Sequence, residues 1–191
     1  MFGKMHMNKF LLQAEDCAVM VIDIQEKLFA AMDERFRSML IRNCRILIEA
    51  SQTLDMPIVV TEQYPKGMGG TIPEIEEHIR GTYRYEKLYF SCYRDPAIRD
   101  RTDSLGRNTV IVAGMETHVC VFQTVIDLLM AGYRVVVASD AVSSRRELDR
   151  EEAMREMRSA GALIYSTEMI AFMLLEKAGT AQFKRLAPFF K

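Results

Sequence analysis

The sequence predicts an α/β fold built around a mostly parallel sheet of about six strands. Short apolar runs alternate with segments of helical periodicity, and this alternation is typical of βαβ units. A chain of 191 residues can bury one hydrophobic core and is short for two. We find no internal repeat or linker, so we expect a single domain over 1–191, with 1–11 as a loosely ordered N-terminal extension.

Each strand and helix is predicted from its own local pattern. Strands are predicted at short continuous apolar runs, and helices where apolar residues recur every three or four positions. A capping box at Ser144 and Glu147 opens the third predicted helix, and Gly161 follows its end. The predicted strands are 17–22, 58–60, a run from 110, 135–138 and 162–165. The predicted helices cover 36–54, 121–130 and about 144–160.

Two segments leave alternatives open. The stretch 64–81 is rich in Gly and Pro and predicts one long irregular segment, which in a compact domain is usually functional or mobile. The apolar run 169–175 packs either in the core or on a neighbouring copy of the chain. The sequence pattern alone does not separate these two packing modes.

The composition excludes several classes of protein. Apolar residues make up 49% of the chain and charged residues 27%, which is typical of a globular domain and not of a disordered or membrane protein. The formal net charge is −1 and no long basic run occurs, so we expect neither a nucleic-acid partner nor an anionic membrane partner. A small molecule is the expected partner.

The cysteines and the N-terminal segment indicate a reducing compartment. Cys17, Cys44, Cys92 and Cys120 are widely spaced, without a CxxC motif or zinc-ligand spacing, which argues against disulfides and against a zinc site. The segment 1–12 holds only a short apolar run, and no window approaches the roughly 18 apolar residues of a membrane span. We therefore expect a cytoplasmic protein with no metal and no cofactor.

The most informative segment is 114–121, which places Cys120 between a predicted strand and a predicted helix. A thiol in the first turn of a helix lies beside unpaired N–H groups and the positive end of the helix dipole. This position lowers the pKa of the thiol and can bind a developing oxyanion. Free cysteine is also among the most buried residue types, so a small core side chain is the alternative. Cys120 is therefore a candidate nucleophile.

Three further residues are candidates to act with Cys120. Asp23 follows the first strand, as a carboxylate at the end of a buried strand or as a helix N-cap. Lys87 lies in a β-prone aromatic stretch, where a solvated surface lysine is the alternative. His118 precedes Cys120 by two residues, a spacing that favours a pocket-lining or capping role over a general base. In a sheet ordered 3-2-1-4-5-6, Asp23 and Cys120 follow adjacent strands, where ligands bind.

Three short motifs occur in order along the chain. The first reads VIDIQ over 21–25, the second is Lys87-x-x-Phe90-Ser91, and the third reads GMETHVCV over 114–121. In these motifs the chain resembles the isochorismatase-like cysteine hydrolases, and the resemblance covers about 12–191. Further matching segments are 61–70, 139–145, 161–162, 167–168 and 183–184.

The resemblance implies a three-layer α/β/α sandwich with a Rossmann-like sheet, a tendency to form homo-oligomers, and a catalytic triad of Asp23, Lys87 and Cys120. It also implies a cis peptide bond between Met115 and Glu116. This bond would aim the backbone N–H groups of Glu116 and Cys120 at one point, as an oxyanion hole. The candidate residues of the substrate pocket are Gln25, Gln63, Tyr64, Phe90, Thr117 and His118.

Departures from the family pattern restrict the predicted reaction. Nicotinamidases of this superfamily carry an Asp-x-His metal pair after the second strand, where this chain has TEQY over 61–64, so we expect neither that activity nor a bound zinc or iron. True isochorismatases, which hydrolyse a vinyl ether, typically lack a cysteine at the position of Cys120. We therefore expect a metal-independent hydrolase that cleaves a C–N bond through a thioester on Cys120. The alternatives are a vinyl-ether hydrolase and a catalytically silent binding or scaffold protein.

Overall fold

A six-stranded parallel sheet forms the centre of the protein, in a computed structural model that describes residues 10–190. Its strands are β1 Cys17–Ile22, β2 Ile58–Gln63, β3 Arg84–Lys87, β4 Thr109–Met115, β5 Arg134–Ser143 and β6 Leu163–Tyr165. They lie in the order β3-β2-β1-β4-β5-β6, and every neighbouring pair is parallel. The predicted sheet and strand order are therefore confirmed. Most of the predicted N-terminal extension, 1–11, lies outside the described residues.

Helices connect the strands along the chain. They are α1 Glu26–Ala31, α2 Glu34–Thr53, α3 Pro65–Met68, α4 Pro73–Glu76, α5 Pro96–Ser104, α6 Phe122–Met130, α7 Glu147–Ser159, α8 Thr167–Leu175 and α9 Ala181–Leu186. Short 3-10 turns occur at Ala14–Asp16, Cys92–Arg94 and Ala187–Phe190, and a π-helical turn occurs at Thr117–Val121. Within residues 10–190, none of the helices has the length and apolar character of a membrane span.

Each face of the sheet is covered by its own set of helices. Val19 and Val21 of β1 belong to a core cluster that also contains buried residues of α2 and α8. Met20 and Ile22 alternate with them and belong to a second cluster, which contains buried residues of α5, α6 and α7. Every residue of β1 is buried, as is typical of a parallel strand covered on both faces. The protein is therefore a three-layer α/β/α sandwich.

The predicted capping box at Ser144 and Glu147 is wrong. α7 begins at Glu147, and the preceding Arg146 makes no side-chain cap hydrogen bond. β5 extends to Ser143, so Ser144 directly follows a strand and is buried. Its hydroxyl contacts His118 instead of the start of α7. A tertiary contact therefore replaces the local one that the sequence pattern predicts.

The structure also resolves the two segments with open alternatives. The stretch 64–81 is not wholly irregular, because it contains the short helices α3 and α4. In the run 169–175, Ile170 and Leu174 are buried in the core, whereas Met169 and Phe172 are exposed. This run therefore contributes to the core and also presents an apolar outer face.

β1 and β4 approach each other closely where both strands end. Gly114 of β4 pairs with Ile22 of β1 and has a φ of 124°. A Cβ atom at position 114 would lie 2.0 Å from the carbonyl oxygen of Ile22, so a side chain does not fit there. The close approach brings Asp23 and the segment 115–120 to the same edge of the sheet. Ligands bind at this edge in α/β proteins, where the strand order reverses.

Candidate active site

Asp23 lies at the carboxyl end of β1 and is fully buried. Its φ of 51° is in the left-handed region, which few non-glycine residues adopt. Its Oδ1 accepts a hydrogen bond from Thr61 Oγ1 at 2.7 Å, and its Oδ2 accepts one from Lys87 Nζ at 2.7 Å. The N-cap position of α1 is occupied by Gln25, so the interpretation of Asp23 as a helix cap is wrong.

Lys87 ends β3 and has a fully buried side chain, so the interpretation as a surface lysine is wrong. Its Nζ donates hydrogen bonds to Asp23 Oδ2, Gln63 Oε1 and the carbonyl oxygens of Tyr89 and Phe90. Burial lowers the pKa of Lys87, but the interactions with Cys92, Asp23 and Cys120 outweigh it and raise that pKa above its ordinary value. Lys87 is therefore an ammonium ion at neutral pH.

Cys120 lies in the π-helical turn before α6 and is 5% exposed. Burial and the charge of Asp23 raise the pKa of the Cys120 thiol, whereas the charge of Lys87 lowers that pKa. The expectation of a lowered pKa is therefore wrong for the resting protein. Cys120 precedes the first regular turn of α6, and desolvation of a thiolate outweighs the nearby positive charge. In the Asp23–Lys87–Cys120 cluster, Lys87 thus rests as an ammonium ion and Cys120 as a protonated thiol.

The backbone between β4 and α6 is fixed by local and long-range contacts. The peptide bond between Met115 and Glu116 is cis, at the position that the family resemblance implies. The Glu116 carbonyl accepts hydrogen bonds from the N–H groups of Val119 and Val121. The Glu116 side chain is nearly buried, and its Oε1 accepts a hydrogen bond from Arg145 Nε at 2.8 Å. Both the main chain and the side chain of Glu116 therefore hold this turn in place.

Gln25 and Gln63 both lie near the Asp23–Lys87–Cys120 cluster, but they make different contacts. Gln25 is fully buried, and its Oε1 accepts a hydrogen bond from the Gln63 N–H at 2.7 Å. Its Nε2 donates to the carbonyl oxygens of Gln63 and Gly69, which uses both amide protons. Gln63 Oε1, in contrast, accepts a hydrogen bond from Lys87 Nζ at 2.7 Å. Gln25 therefore joins the segment after β1 to the end of β2 and to Gly69, whereas Gln63 contacts the cluster directly.

A cavity of about 410 Å³ opens beside Lys87. Its walls include Lys87 and Tyr64, but not Asp23 or Cys120, which are both buried. Phe90 is exposed, and only its carbonyl group contacts Lys87. The exposed apolar side chains at this cavity and next to it along the chain, termed the apolar rim, are Tyr64, Leu88, Tyr89 and Phe90.

Thr117 and His118 lie on the π-helical turn, two to three positions before Cys120. The His118 Nδ1 atom is 3.0 Å from Ser144 Oγ, and its Nε2 atom is 4.0 Å from Asp149 Oδ2. These contacts connect His118 to α7 and the segment before it. Thr117 is fully buried, and its Oγ1 atom has no hydrogen-bond partner in the described part of the chain.

Two residues that the sequence analysis did not assign, Thr61 and Cys92, also contact the cluster. Thr61 lies in β2 and donates to Asp23 Oδ1, and the fully buried Cys92 Sγ lies 3.6 Å from Thr61 Oγ1. A polar residue in an apolar strand beside β1 is a signal that could have indicated Thr61. Cys92 gives no such signal, because its place is set by the 3-10 turn after β3.

The residues at the end of β2 do not fit a metal-binding pair. Glu62 Oε1 accepts hydrogen bonds from the N–H and the hydroxyl of Thr71, at 2.8 and 2.7 Å. Gln63 Oε1 is occupied by Lys87 Nζ. Over residues 10–190, no three His, Cys, Asp or Glu side chains are arranged to hold a metal ion. Glu62 Oε1 and Gln63 Oε1 are therefore already engaged with protein donors.

Sequence comparison identifies a family and close relatives. The family model for the isochorismatase domain matches residues 17–169. Isochorismatase domain-containing protein 2 of Xenopus laevis is 34% identical over 162 residues, which cover 81% of this chain and 78% of that protein. The resemblance inferred from the three motifs is therefore confirmed.

Structural comparison leads to the same fold. The solved structure of MAR1 ribonuclease from Caenorhabditis elegans is 35% identical in sequence and superposes with a TM-score of 0.86, covering 94% of this chain and 91% of that chain. The YcaC gene product of Escherichia coli, described as an octameric hydrolase of unknown specificity, superposes with a TM-score of 0.88 at 22% identity, covering 94% and 89%. At that lower identity the likeness concerns the fold alone.

Proposed function

Since this chain belongs to the isochorismatase family and has its hydrolase fold, we propose that it is a cysteine hydrolase that cleaves the C–N bond of a small amide. One observation carries the proposal: a buried thiol interacts with a buried carboxylate, which is itself bound by a buried ammonium ion. A nucleophile, a base and a cation in mutual contact are what covalent acyl transfer needs.

In the proposed reaction, Cys120 Sγ attacks the amide carbonyl carbon while its proton passes to Asp23. Asp23 then protonates the leaving amine, and the C–N bond breaks to leave a thioester on Cys120. Water attacks the thioester, gives its proton to Asp23, and releases a carboxylic acid and the restored thiol. Lys87 stays charged throughout, and its positive charge favours both the thiolate and the carboxylate.

The tetrahedral intermediates carry a negative oxygen, for which we assign the N–H groups of Glu116 and Cys120 as donors. The two residues lie at the ends of the turn that follows the cis peptide bond. The contacts of Glu116 with Arg145, Val119 and Val121 support this assignment, because they hold the turn before substrate binds. Each such donor stabilises the transition state by about 3–4 kcal/mol in comparable enzymes.

The proposal needs no metal ion, because residues that could have held one have other hydrogen bonds. Glu62 is bound to Thr71 and Gln63 to Lys87. Gln63 instead supplies a polar group next to the ammonium, as a substrate-pocket residue. The proposal also places the protein in the reducing cytoplasm, since the nucleophile must be an unmodified thiol and all four cysteines are free.

The apolar rim supports two further parts of the proposal. Four large apolar side chains stand exposed next to the cavity at Lys87, a concentration that marks a binding surface. We assign this surface to a small uncharged substrate and to contact with a second copy of the chain. The YcaC gene product is octameric, and here a homo-oligomer would shield the rim from water.

Three other activities compete with amide hydrolysis. A vinyl-ether hydrolase would not use the Cys120 thiol in its reaction, and a binding protein without catalytic activity would use no residue of the cluster for chemistry. Phosphodiester cleavage is the third alternative, because one of the similar solved structures is named a ribonuclease. The net charge of −1 disfavours RNA, since phosphate backbones are bound by clustered Lys and Arg. The burial of Cys120 favours a small acyl group over a polymer.

Mass spectrometry on Cys120 tests the proposal. The protein is mixed with a panel of small amides, quenched in acid within milliseconds to minutes, and digested for peptide mapping. We expect an acyl group on the Cys120 peptide and one free amine for each acyl group. Cys120→Ala should form no adduct, whereas the matched control Cys44→Ala should form the same adduct as the parent protein.

The competing activities give different results in the same experiment. Vinyl-ether or RNA cleavage that persists in Cys120→Ala would replace the amide proposal, since the thiol would then be dispensable. Substrate binding without any acyl adduct or product, across the whole panel, would identify a silent binding protein and overturn the proposed function.

A further inference from the structure

A chain of hydrogen bonds runs from Asp23 through Thr61 to Cys92. Thr61 Oγ1 donates to Asp23 Oδ1 at 2.7 Å, and Cys92 Sγ lies 3.6 Å from the same Thr61 oxygen. We propose that Thr61 and Cys92 are positioning residues, which hold the Asp23 carboxylate in the orientation that accepts the Cys120 proton. The inference rests on the proposed function, because it assigns a task to Asp23 as the base.

The donor in each hydrogen bond of this chain follows from the number of protons available. A hydroxyl group has one proton, and Thr61 uses its proton on the Asp23 carboxylate. The contact with Cys92 therefore requires the thiol of Cys92 to donate to Thr61 Oγ1. Burial raises the pKa of Cys92 to about 11, so this thiol keeps its proton at neutral pH. The order of donation is Cys92 to Thr61 to Asp23.

The groups around Asp23 show how the hydrogen-bond chain fixes the orientation of its carboxylate. The titratable groups that interact with it are Lys87 at the end of β3, Cys120 in the π-helical turn and Cys92 in the 3-10 turn. Lys87 binds Oδ2 and Thr61 binds Oδ1, so the carboxylate is fixed at both oxygens. Without the Thr61 hydroxyl, the carboxylate is free to rotate and bind Lys87 with both oxygens. That rotation would remove the acceptor from the Cys120 thiol.

Cys92 and Cys120 are also joined through their backbones. The Cys92 N–H donates to Thr124 Oγ1 at 2.9 Å, and Thr124 Oγ1 donates to the Cys120 carbonyl at 2.6 Å. Thr124 lies in α6 and is fully buried. Thr124 therefore links the backbone of Cys92, where the donor chain starts, to the backbone of Cys120.

Paired substitutions separate hydrogen bonding from packing. Thr61→Val keeps the shape of the side chain and removes the donor, whereas Thr61→Ser keeps the donor and removes a methyl group. Cys92→Ala and Cys92→Ser form the same kind of pair. The measurement is the rate of alkylation of Cys120 by iodoacetamide at pH 7, followed by peptide mass spectrometry, with melting temperatures to confirm folding.

We expect Thr61→Val to slow alkylation of Cys120 at least about tenfold, because a hydrogen bond to a charged group is lost. Thr61→Ser should stay within about twofold of the parent protein. Cys92→Ala should slow the reaction about two- to threefold, and Cys92→Ser should not, since the weaker thiol bond lies one step further away. Equal rates for Thr61→Val and Thr61→Ser, or faster alkylation in Thr61→Val, would overturn the inference.

The parent protein and Asp23→Asn tell the two proposals apart. Slow, unselective labelling of Cys120 in the parent, unchanged in Asp23→Asn, would contradict the proposed function itself. Selective labelling that depends on Asp23 but not on the Thr61 hydroxyl would leave the proposed function intact and overturn only the positioning role.

Discussion

Cys44 and Cys120 are both free, buried thiols, yet the groups around them differ. Cys44 lies in α2 against β5, where its Sγ donates to the carbonyl of Ala141 and the nearest charge is Asp140. Cys120 interacts with the charges of Asp23 and Lys87, of which Asp23 raises the pKa of the thiol and Lys87 lowers it. Burial raises the pKa of both thiols. What distinguishes Cys120 is a base that can take its proton and a cation that can stabilise the resulting charge.

This comparison shows why burial alone does not identify a nucleophile. Desolvation stabilises the neutral thiol in both places, so each is unreactive unless the proton has somewhere to go. Next to Cys44 there is a carbonyl group, which accepts a hydrogen bond but no proton. Next to Cys120 there is a carboxylate, fixed by Lys87 and Thr61.

Replacing Cys120 and Cys44 separately with Ala should give the largest difference in activity. Cys120→Ala should lower the turnover of any amide substrate at least about a thousandfold, because nucleophile deletions in covalent hydrolases commonly cost more than this. Cys44→Ala should leave kcat within about twofold and lower the free energy of unfolding by about 1–2 kcal/mol, as a small buried group is lost. Steady-state kinetics and urea unfolding measure the two effects. Equal activity losses in both variants would contradict the distinction.

Removing the cation should make the surroundings of Cys120 resemble those of Cys44. Lys87→Met leaves the Asp23 charge buried without its ion-pair partner, so we expect the free energy of unfolding to fall by about 3–5 kcal/mol. Alkylation of Cys120 should slow as well, since Lys87 lowers the pKa of that thiol. The double variant Asp23→Asn with Lys87→Met should recover part of the stability. A loss below about 1 kcal/mol in Lys87→Met would contradict the burial of the pair.

A smaller effect is the pH dependence of stability that comes from Cys17, a buried thiol outside the cluster. Burial raises the pKa of Cys17 to about 11, from an ordinary value of 9.0, so the folded state favours the protonated thiol. Its stabilising contribution is full below pH 9 and is lost as the pH rises towards 11, by about 1.4 kcal/mol per pH unit. Urea unfolding between pH 8 and 10.5 should show a shallower decline in Cys17→Ala than in the parent protein. Parallel declines would show that Cys17 is not responsible.

The sheet could be predicted from the sequence because its signals are local. Each buried strand is a continuous apolar run, and the alternation of runs with helical segments fixes parallel connections. Asp23, Lys87 and Cys120 could be named because each lies in a motif, and the structure places them in contact. Their roles as base, cation and nucleophile remain proposals.

Other features depend on contacts between segments that are distant in the sequence. Ser144 matches a capping box, but it is buried after β5 and contacts His118. Gln25 lies in a motif, yet both ends of its amide bind the backbone near β2. The pKa of Cys120 follows from burial and from Asp23, which no helix-start rule includes. Local patterns do not encode these desolvation and pairing effects.

Competitive labelling of the four cysteines tests the central claim most directly. The folded protein is treated at pH 7.5 with iodoacetamide at less than one equivalent, and the label on each cysteine peptide is quantified. We predict that Cys120 carries at least about ten times more label than Cys17, Cys44 or Cys92. Cys92 also interacts with Asp23 and Lys87, but it is fully buried and its Sγ contacts Thr61, whereas Cys120 is 5% exposed. Asp23→Asn should remove this preference. Equal labelling of the four thiols, or a preference that survives in Asp23→Asn, would contradict the account.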